Sequence, residues 1–328
     1  MISLLALTGL MFALATPSSS EPAPPSTPAS VPARVGPAAE TPGRSAAMPA
    51  PQARFTSNRI VVEVRDPPGA AGRSAPDVIL IPGLASTALV WEPVAEQLSR
   101  THRVHLVSVR GFGELAAGGN GQGLVAGPVA EEVGRYIRTR GLRDPAVIGH
   151  SMGGQIALRL ASTPGVTLGR VMIVDAAPFF PSLLDDRATG RDLEPIAAVA
   201  YQAVLFLGDE ALARQPWAQG MGSTAGALDS WVGWQGGDSR VLAQSLYEVM
   251  TVDLRPNLAR IDVPVTVVYG WSRREDSPRY RLQSSWQQAY RGARNPVRLV
   301  PIEGAEHMVM MDQPARFMAA VDEFLGNR

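Results

Sequence analysis

Short apolar runs, set apart by helical segments, constrain this chain more than any other feature. Asp77 to Ile81 (DVILI), Ala146 to Gly149 (AVIG) and Val171 to Val174 (VMIV) are apolar almost throughout, not on alternate residues. A strand that alternates leaves one face to water, whereas a strand apolar along its length is covered on both faces. Ile60 to Val64, Val104 to Val109, Val263 to Tyr269 and Val297 to Ile302 read as further strands. Between the runs lie amphipathic or alanine-rich stretches: one ending near Arg100, then about Val125 to Arg140, Gln155 to Ser162 and Gln313 to Leu325. Pro314 falls in the first turn of the last of these, where proline is favoured. Such alternation predicts an α/β fold with a doubly wound, mostly parallel sheet.

One stretch breaks the alternation. From Ala176 to about Pro256 there are helical pieces (Ile196 to Leu207, Val241 to Met250) and no convincing strand. It predicts a helical cap over about 176–256, inserted between two strands.

The folded part is expected to cover 55–328. Ahead of it, 16–54 is Pro, Ala and Ser with few large apolar residues, and ten of the chain's 28 prolines fall there. Such a segment cannot bury a core and predicts a disordered linker. Leu4 to Ala15 is an apolar run ending in the small-x-small pattern Ala13-Leu14-Ala15, which predicts a signal peptide over 1–15. No Lys or Arg precedes it, so the terminal amine is its only positive charge. The run is shorter than the roughly 20 residues a bilayer span takes. The expectation is an exported protein, periplasmic or secreted, with no stable membrane span after cleavage.

Lys plus Arg and Asp plus Glu both number 30, so no basic excess points to nucleic acid or an anionic membrane as a partner. The chain has no cysteine, which removes disulfides, thiolate metal sites and a cysteine nucleophile together.

The chemistry centres on Gly149-His150-Ser151-Met152-Gly153-Gly154, where the strand from Ala146 meets the following helix. A serine hydroxyl is a weak nucleophile unless it is exposed, oriented and next to a base. Glycines two residues to either side allow a sharp turn that lifts Ser151 above the sheet edge and aims the Met152 amide at a developing oxyanion.

These residues resemble the α/β-hydrolase superfamily, and the resemblance runs from about Arg59 to Leu325. Ile81-Pro82-Gly83-Leu84 is similar to the family's oxyanion loop, with Pro82 where histidine is usual, and implies the Leu84 amide as second oxyanion donor. Val109-Arg110-Gly111-Phe112-Gly113 is similar to a family turn, though Ser108 stands where Asp is usual. Gly304-Ala305-Glu306-His307, with Met311-Asp312-Gln313-Pro314 after it, resembles the closing histidine loop and last helix. The resemblance implies a Ser151 nucleophile and a His307 base, with no metal or organic cofactor. Of the other histidines, His102 and His105 flank an early strand and His150 is the neighbour of the serine.

The acid stays open. In most of the family it follows the strand matching Val263 to Tyr269, but here Ser272, Arg273 and Arg274 occupy the usual positions and Asp276 comes later. Asp276 is preferred, with Asp175 at the end of the Val171 strand as alternative and Glu275 behind it. Asp175 also has a plain reading as a cap on the turn. Phe179, Phe180, Trp217, Met221, Trp231 and Trp234 could line an apolar pocket, though such residues more often form the cap's own core. The resemblance implies a carboxylesterase or lipase-like hydrolase acting on a small, apolar ester through an acyl-enzyme. The same triad could serve carbon–carbon bond hydrolysis or a cofactor-free haloperoxidase-like reaction, and a non-catalytic binding protein is the remaining class.

Overall fold

A computed structural model describes residues 55–69, 74–213, 235–271 and 278–326. The expected signal peptide and linker, 1–54, lie outside these residues, as do Trp217, Met221, Trp231 and Trp234.

Seven strands form one sheet: β1 (Ile60–Arg65), β2 (Asp77–Ile81), β3 (Arg103–Val109), β4 (Ala146–His150), β5 (Arg170–Val174), β6 (Val265–Trp271) and β7 (Arg298–Glu303). Their order is β1-β3-β2-β4-β5-β6-β7. Only β1 is antiparallel to its neighbour; every other pairing is parallel. This is the doubly wound, mostly parallel sheet that the apolar runs predict.

The reason the runs are apolar throughout is visible in the core. Ile79, Ile81, Val147 and Ile173 pack on one face, against Val129 and Val133 of α2 (Ala126–Arg140) and Ile156 of α3 (Met152–Ala161). Val78, Leu80, Ile148 and Met172 pack on the other, against Val94 of α1 (Glu92–Leu98) and, further along the chain, Phe317 and Val321. Each such side chain contributes roughly 1.5–3 kcal/mol on full burial.

Of the boundaries that differ from expectation, two bear on the site. β6 begins after Pro264, which has no amide to give the ladder, and runs on through Gly270 and Trp271, which pair with Ile302 and Glu303. α3 starts at Met152, three residues before the predicted start, because the sharp turn at Ser151 leads straight into it.

Above the sheet's C-terminal edge the described helices are α4 (Gly190–Ala213) and α5 (Ser239–Thr251), in contact through the Tyr201 and Tyr247 rings, 6.3 Å apart. Asp238 caps α5, accepting from the Arg240 and Val241 amides. Glu248 fastens α5 to the main domain: its buried carboxylate accepts from the Val125 and Ala126 amides, at 2.6 and 3.1 Å, at the start of α2. A carboxylate at a helix N-terminus meets unpaired amides and the positive end of the dipole together. The remaining helices are α6 (Arg279–Ala289), the short α7 (Val309–Asp312) and α8 (Pro314–Leu325), which begins on its proline.

Candidate active site

Ser151 stands between β4 and α3 with φ 52° and ψ −121°. A non-glycine residue held there costs on the order of 1–3 kcal/mol, and the surroundings must enforce it. They do. The Ser151 amide donates to the Val174 carbonyl, and a side chain at Gly149 would place its first carbon 2.2 Å from the Gly153 oxygen. One at Gly153 would meet the Ile81 and Pro82 oxygens at 2.3 and 2.5 Å. The segment from Ile81 to Gly83 therefore passes directly over the turn. At Gly83 an added carbon would lie 3.1 Å from Cβ of Ser151.

Four non-glycine residues among those described have positive φ: Ala85, Asp144, Ser151 and Asp175. Three of them belong to this site. Ala85 follows Leu84, and neither the Leu84 nor the Met152 amide donates a hydrogen bond among the described residues. Both amides are thus available to a negative oxygen. Ser108 accepts from the Ala88 amide at 2.9 Å and secures the segment after Leu84.

His307 lies in the loop between β7 and α7. Gly304 and Ala305 turn the chain, the Glu306 amide donates to Asp312 Oδ2 at 2.8 Å, and Gln313 donates to the Gly304 carbonyl. Burial holds the Asp312 carboxyl above the ordinary carboxylate range, partly offset by the amide it accepts. The loop packs onto Gly270, where an added carbon would sit 2.2 Å from the Glu306 oxygen. His150 brings it to the serine. Its Nε2 lies 3.0 Å from the His307 carbonyl oxygen, and the two imidazole rings are 4.7 Å apart. A carbonyl only accepts, so Nε2 carries the hydrogen. Burial, with His307 close by, pushes the His150 pKa well below 6.5 and keeps the ring neutral.

The Nδ1 of His307 is hydrogen-bonded to Asp175 Oδ2 at 2.7 Å. Asp175 follows β5 directly, at φ 46°. Its other oxygen accepts from the Gly270 amide at 3.1 Å, and Tyr290, stacked with Trp286, donates its hydroxyl to the Ala176 carbonyl at 2.6 Å. The structure thus joins His307 to Asp175, the carboxylate ranked second from sequence. Asp276 and Glu275 lie outside the described residues. Gly270 and Tyr290 were missed. Nothing in a lone glycine or tyrosine signals such a role, although the absence of a carboxylate from 272–274 was a pointer toward Asp175.

His105 is buried at the opposite end of the sheet, between Tyr136 and Asp77, the first residue of β2; His102 bonds to Thr101. Phe179 is buried beneath the Arg255 guanidinium, 5.1 Å from its ring, and Phe180 is half-buried. Phe179 is therefore part of the packed base under the helices and not an open pocket wall. Among the described residues no cluster of His, Cys, Asp or Glu could hold a metal ion, and no helix is long and apolar enough to cross a membrane.

A hydroxyl on a strained turn, an imidazole oriented by a carboxylate, and two unengaged amides can transfer a proton and hold a developing negative oxygen. A model described as the alpha/beta hydrolase family matches residues 78–320. A pimeloyl-[acyl-carrier protein] methyl ester esterase of Aeromonas salmonicida is 27% identical over 260 residues, 76% of this chain and 96% of that protein. The enzyme of that name from Vibrio cholerae is 28% identical over 201 residues, 59% of this chain and 74% of that protein. Among solved structures, an esterase from Exiguobacterium antarcticum matches with a TM-score of 0.61 at 19% identity, covering 81% of this chain and 95% of its own.

Proposed function

The chain belongs to the alpha/beta hydrolase family, and we propose that it cleaves small carboxylic esters through an acyl-enzyme on Ser151. His307 is the general base and Asp175 its acid partner. The observation that carries this reading is the 2.7 Å bond from His307 Nδ1 to Asp175. With Nδ1–H donated there, the opposite nitrogen of the ring is the one that takes the serine proton.

Ser151 Oγ attacks the ester carbonyl while His307 accepts its proton. The Leu84 and Met152 amides hold the oxyanion, each worth on the order of 3–4 kcal/mol of barrier. His307 then protonates the leaving alcohol, and a water deprotonated by His307 releases the acid. Asp175 replaces Asp276 in this reading because Nδ1 has one hydrogen and Asp175 already accepts it. The ester class is supported by the methyl ester esterases among the relatives. Export through a leader over 1–15, cut after Ala15, completes the proposal; N-terminal sequencing of protein released by the cell tests it.

The main test has two readings. A fluorophosphonate should label the wild-type protein and not Ser151→Ala, and p-nitrophenyl butyrate should be turned over by the first alone. Labelling without turnover of any short- or medium-chain ester would remove the ester assignment and leave the carbon–carbon hydrolase or haloperoxidase-like alternatives. Absence of labelling would remove the serine mechanism itself.

A further inference from the structure

The segment leading into α5 makes a set of contacts that the mechanism above does not use. The side-chain oxygen of Gln235 accepts from the Thr87 amide at 2.9 Å and from the Thr87 hydroxyl at 2.5 Å. The Gln235 amide in turn donates to the Ala85 carbonyl at 2.7 Å. One residue therefore bonds both Ala85 and Thr87, immediately after the Leu84 oxyanion donor.

The neighbours of Gln235 are fixed on their other side. Gly113 donates to the Gly236 carbonyl at 2.9 Å, Asp238 donates to the Gly111 carbonyl at 2.8 Å, and Phe112 bridges to Gly237. The fit allows no side chain. At Gly237, φ 149°, an added carbon would lie 2.2 Å from the Gly111 oxygen, and at Gly111 one would lie 2.5 Å from Val241. Gln235 is thus anchored to the turn after β3 and reaches from there to the oxyanion loop.

We infer that Gln235 is a positioning residue for the oxyanion hole: its three hydrogen bonds hold Ala85 in its positive-φ conformation and so aim the Leu84 amide. Ala85 pays no glycine-like ease for that conformation, which needs external support of the order given above for strained residues. The bond to the Ala85 carbonyl and the bonds to Thr87 supply it from both sides. Without them, rotation about the Ala85 backbone shifts Leu84, and with it the Gly83–Leu84 peptide whose N–H is the donor. The effect falls on the transition state, because the oxyanion forms only there. The inference rests on the ester-hydrolase reading of Ser151.

The test compares Gln235→Leu, which removes the acceptor, with Gln235→Glu, which keeps an oxygen for both Thr87 donors. The first readout is the rate of Ser151 labelling by a fluorophosphonate, whose addition also develops an oxyanion. The others are kcat and KM for p-nitrophenyl butyrate, and inhibition by a trifluoromethyl ketone. Gln235→Leu should lose about tenfold or more in labelling rate and kcat, with the inhibitor weakened in parallel and KM little changed, since misaiming one donor forfeits part of its contribution. Gln235→Glu should recover most of the loss. A folded Gln235→Leu protein with wild-type labelling and kcat overturns the inference, as does a change confined to KM. Should Gln235→Leu not fold, Thr87→Val removes one of the three bonds and should show the same pattern at several-fold; unchanged kcat there also overturns it. Wild-type protein that does not label defeats the serine reading and the inference with it, whereas labelled wild type with an indifferent Gln235 defeats the inference alone.

Discussion

The Nε2–H of His150 donates to the main-chain carbonyl of His307 at 3.0 Å, linking the turn that carries Ser151 to the loop that carries the proposed base. No backbone ladder does this work, since three strand pairings separate β4 from β7. We expect His150→Phe, which keeps the packing volume and removes the donor, to lower kcat by about tenfold through a loosened base. His150→Gln, which can still donate, should retain more. A folded His150→Phe enzyme with unchanged kcat would show that the loop needs no such clamp.

The same histidine sets a pH dependence of stability. Its folded-state pKa is pushed well below the ordinary 6.5 by burial and by His307. His102 is lowered in the same direction, again by burial. Below about pH 6.5 the unfolded chain takes up protons that these rings refuse when folded, so stability falls as the pH falls. Above that pH both states are neutral and the full contribution is present. The slope is at most about 1.4 kcal/mol per pH unit for each proton. Urea unfolding between pH 7.5 and 5.5 should show the decline, and His150→Phe should make it shallower. An equal slope in the variant would assign the decline to other groups.

Asp175 accepts from both His307 Nδ1 and the Gly270 amide. Asp175→Asn keeps the shape but can present an N–H where the imidazole needs an acceptor, which favours the wrong tautomer. The loss in kcat should be roughly a thousandfold or more, by analogy with the acid of other serine triads. Asp276→Asn and Glu275→Gln should stay near wild type. A comparable loss in Asp276→Asn, with Asp175→Asn active, would return the acid to the preferred sequence position.

The fold could be read from residues alone, as could the strand-to-helix turn at Ser151, because both depend on local patterns. Runs apolar on both faces can only be buried strands of a covered sheet, and a serine flanked by glycines between such a strand and a helix has little choice of turn. The carboxylate that bonds His307 was harder to place because its position depends on how two loops meet over β5 and β6. Gly270 marks the strand end after which a carboxylate is usual. Here it instead makes room for the Glu306 carbonyl and donates to Asp175. His150 reads only as the neighbour of the serine, since a donor to a carbonyl 157 residues away leaves no trace in sequence. Gln235 and Tyr290 are hidden for the same reason.

Tyr290 lies beneath the proposed acid. Its hydroxyl donates to the Ala176 carbonyl at 2.6 Å, next to Asp175 with its positive φ. Burial, with Asp175 nearby, holds the phenol pKa well above 10, so it remains a donor throughout any working pH range. Tyr290→Phe removes only the oxygen and leaves a buried carbonyl unpaired, at a cost of about 1–3 kcal/mol. A purely structural role predicts a lower Tm and nothing else. A positioning role predicts in addition a several-fold fall in kcat with KM held, because Asp175 and the imidazole it orients are free to shift. Trp286→Phe, which disturbs the same aromatic stack without touching the Ala176 bond, provides the comparison at similar stability. If both variants lose Tm and neither loses kcat, Tyr290 does no more than fill the core.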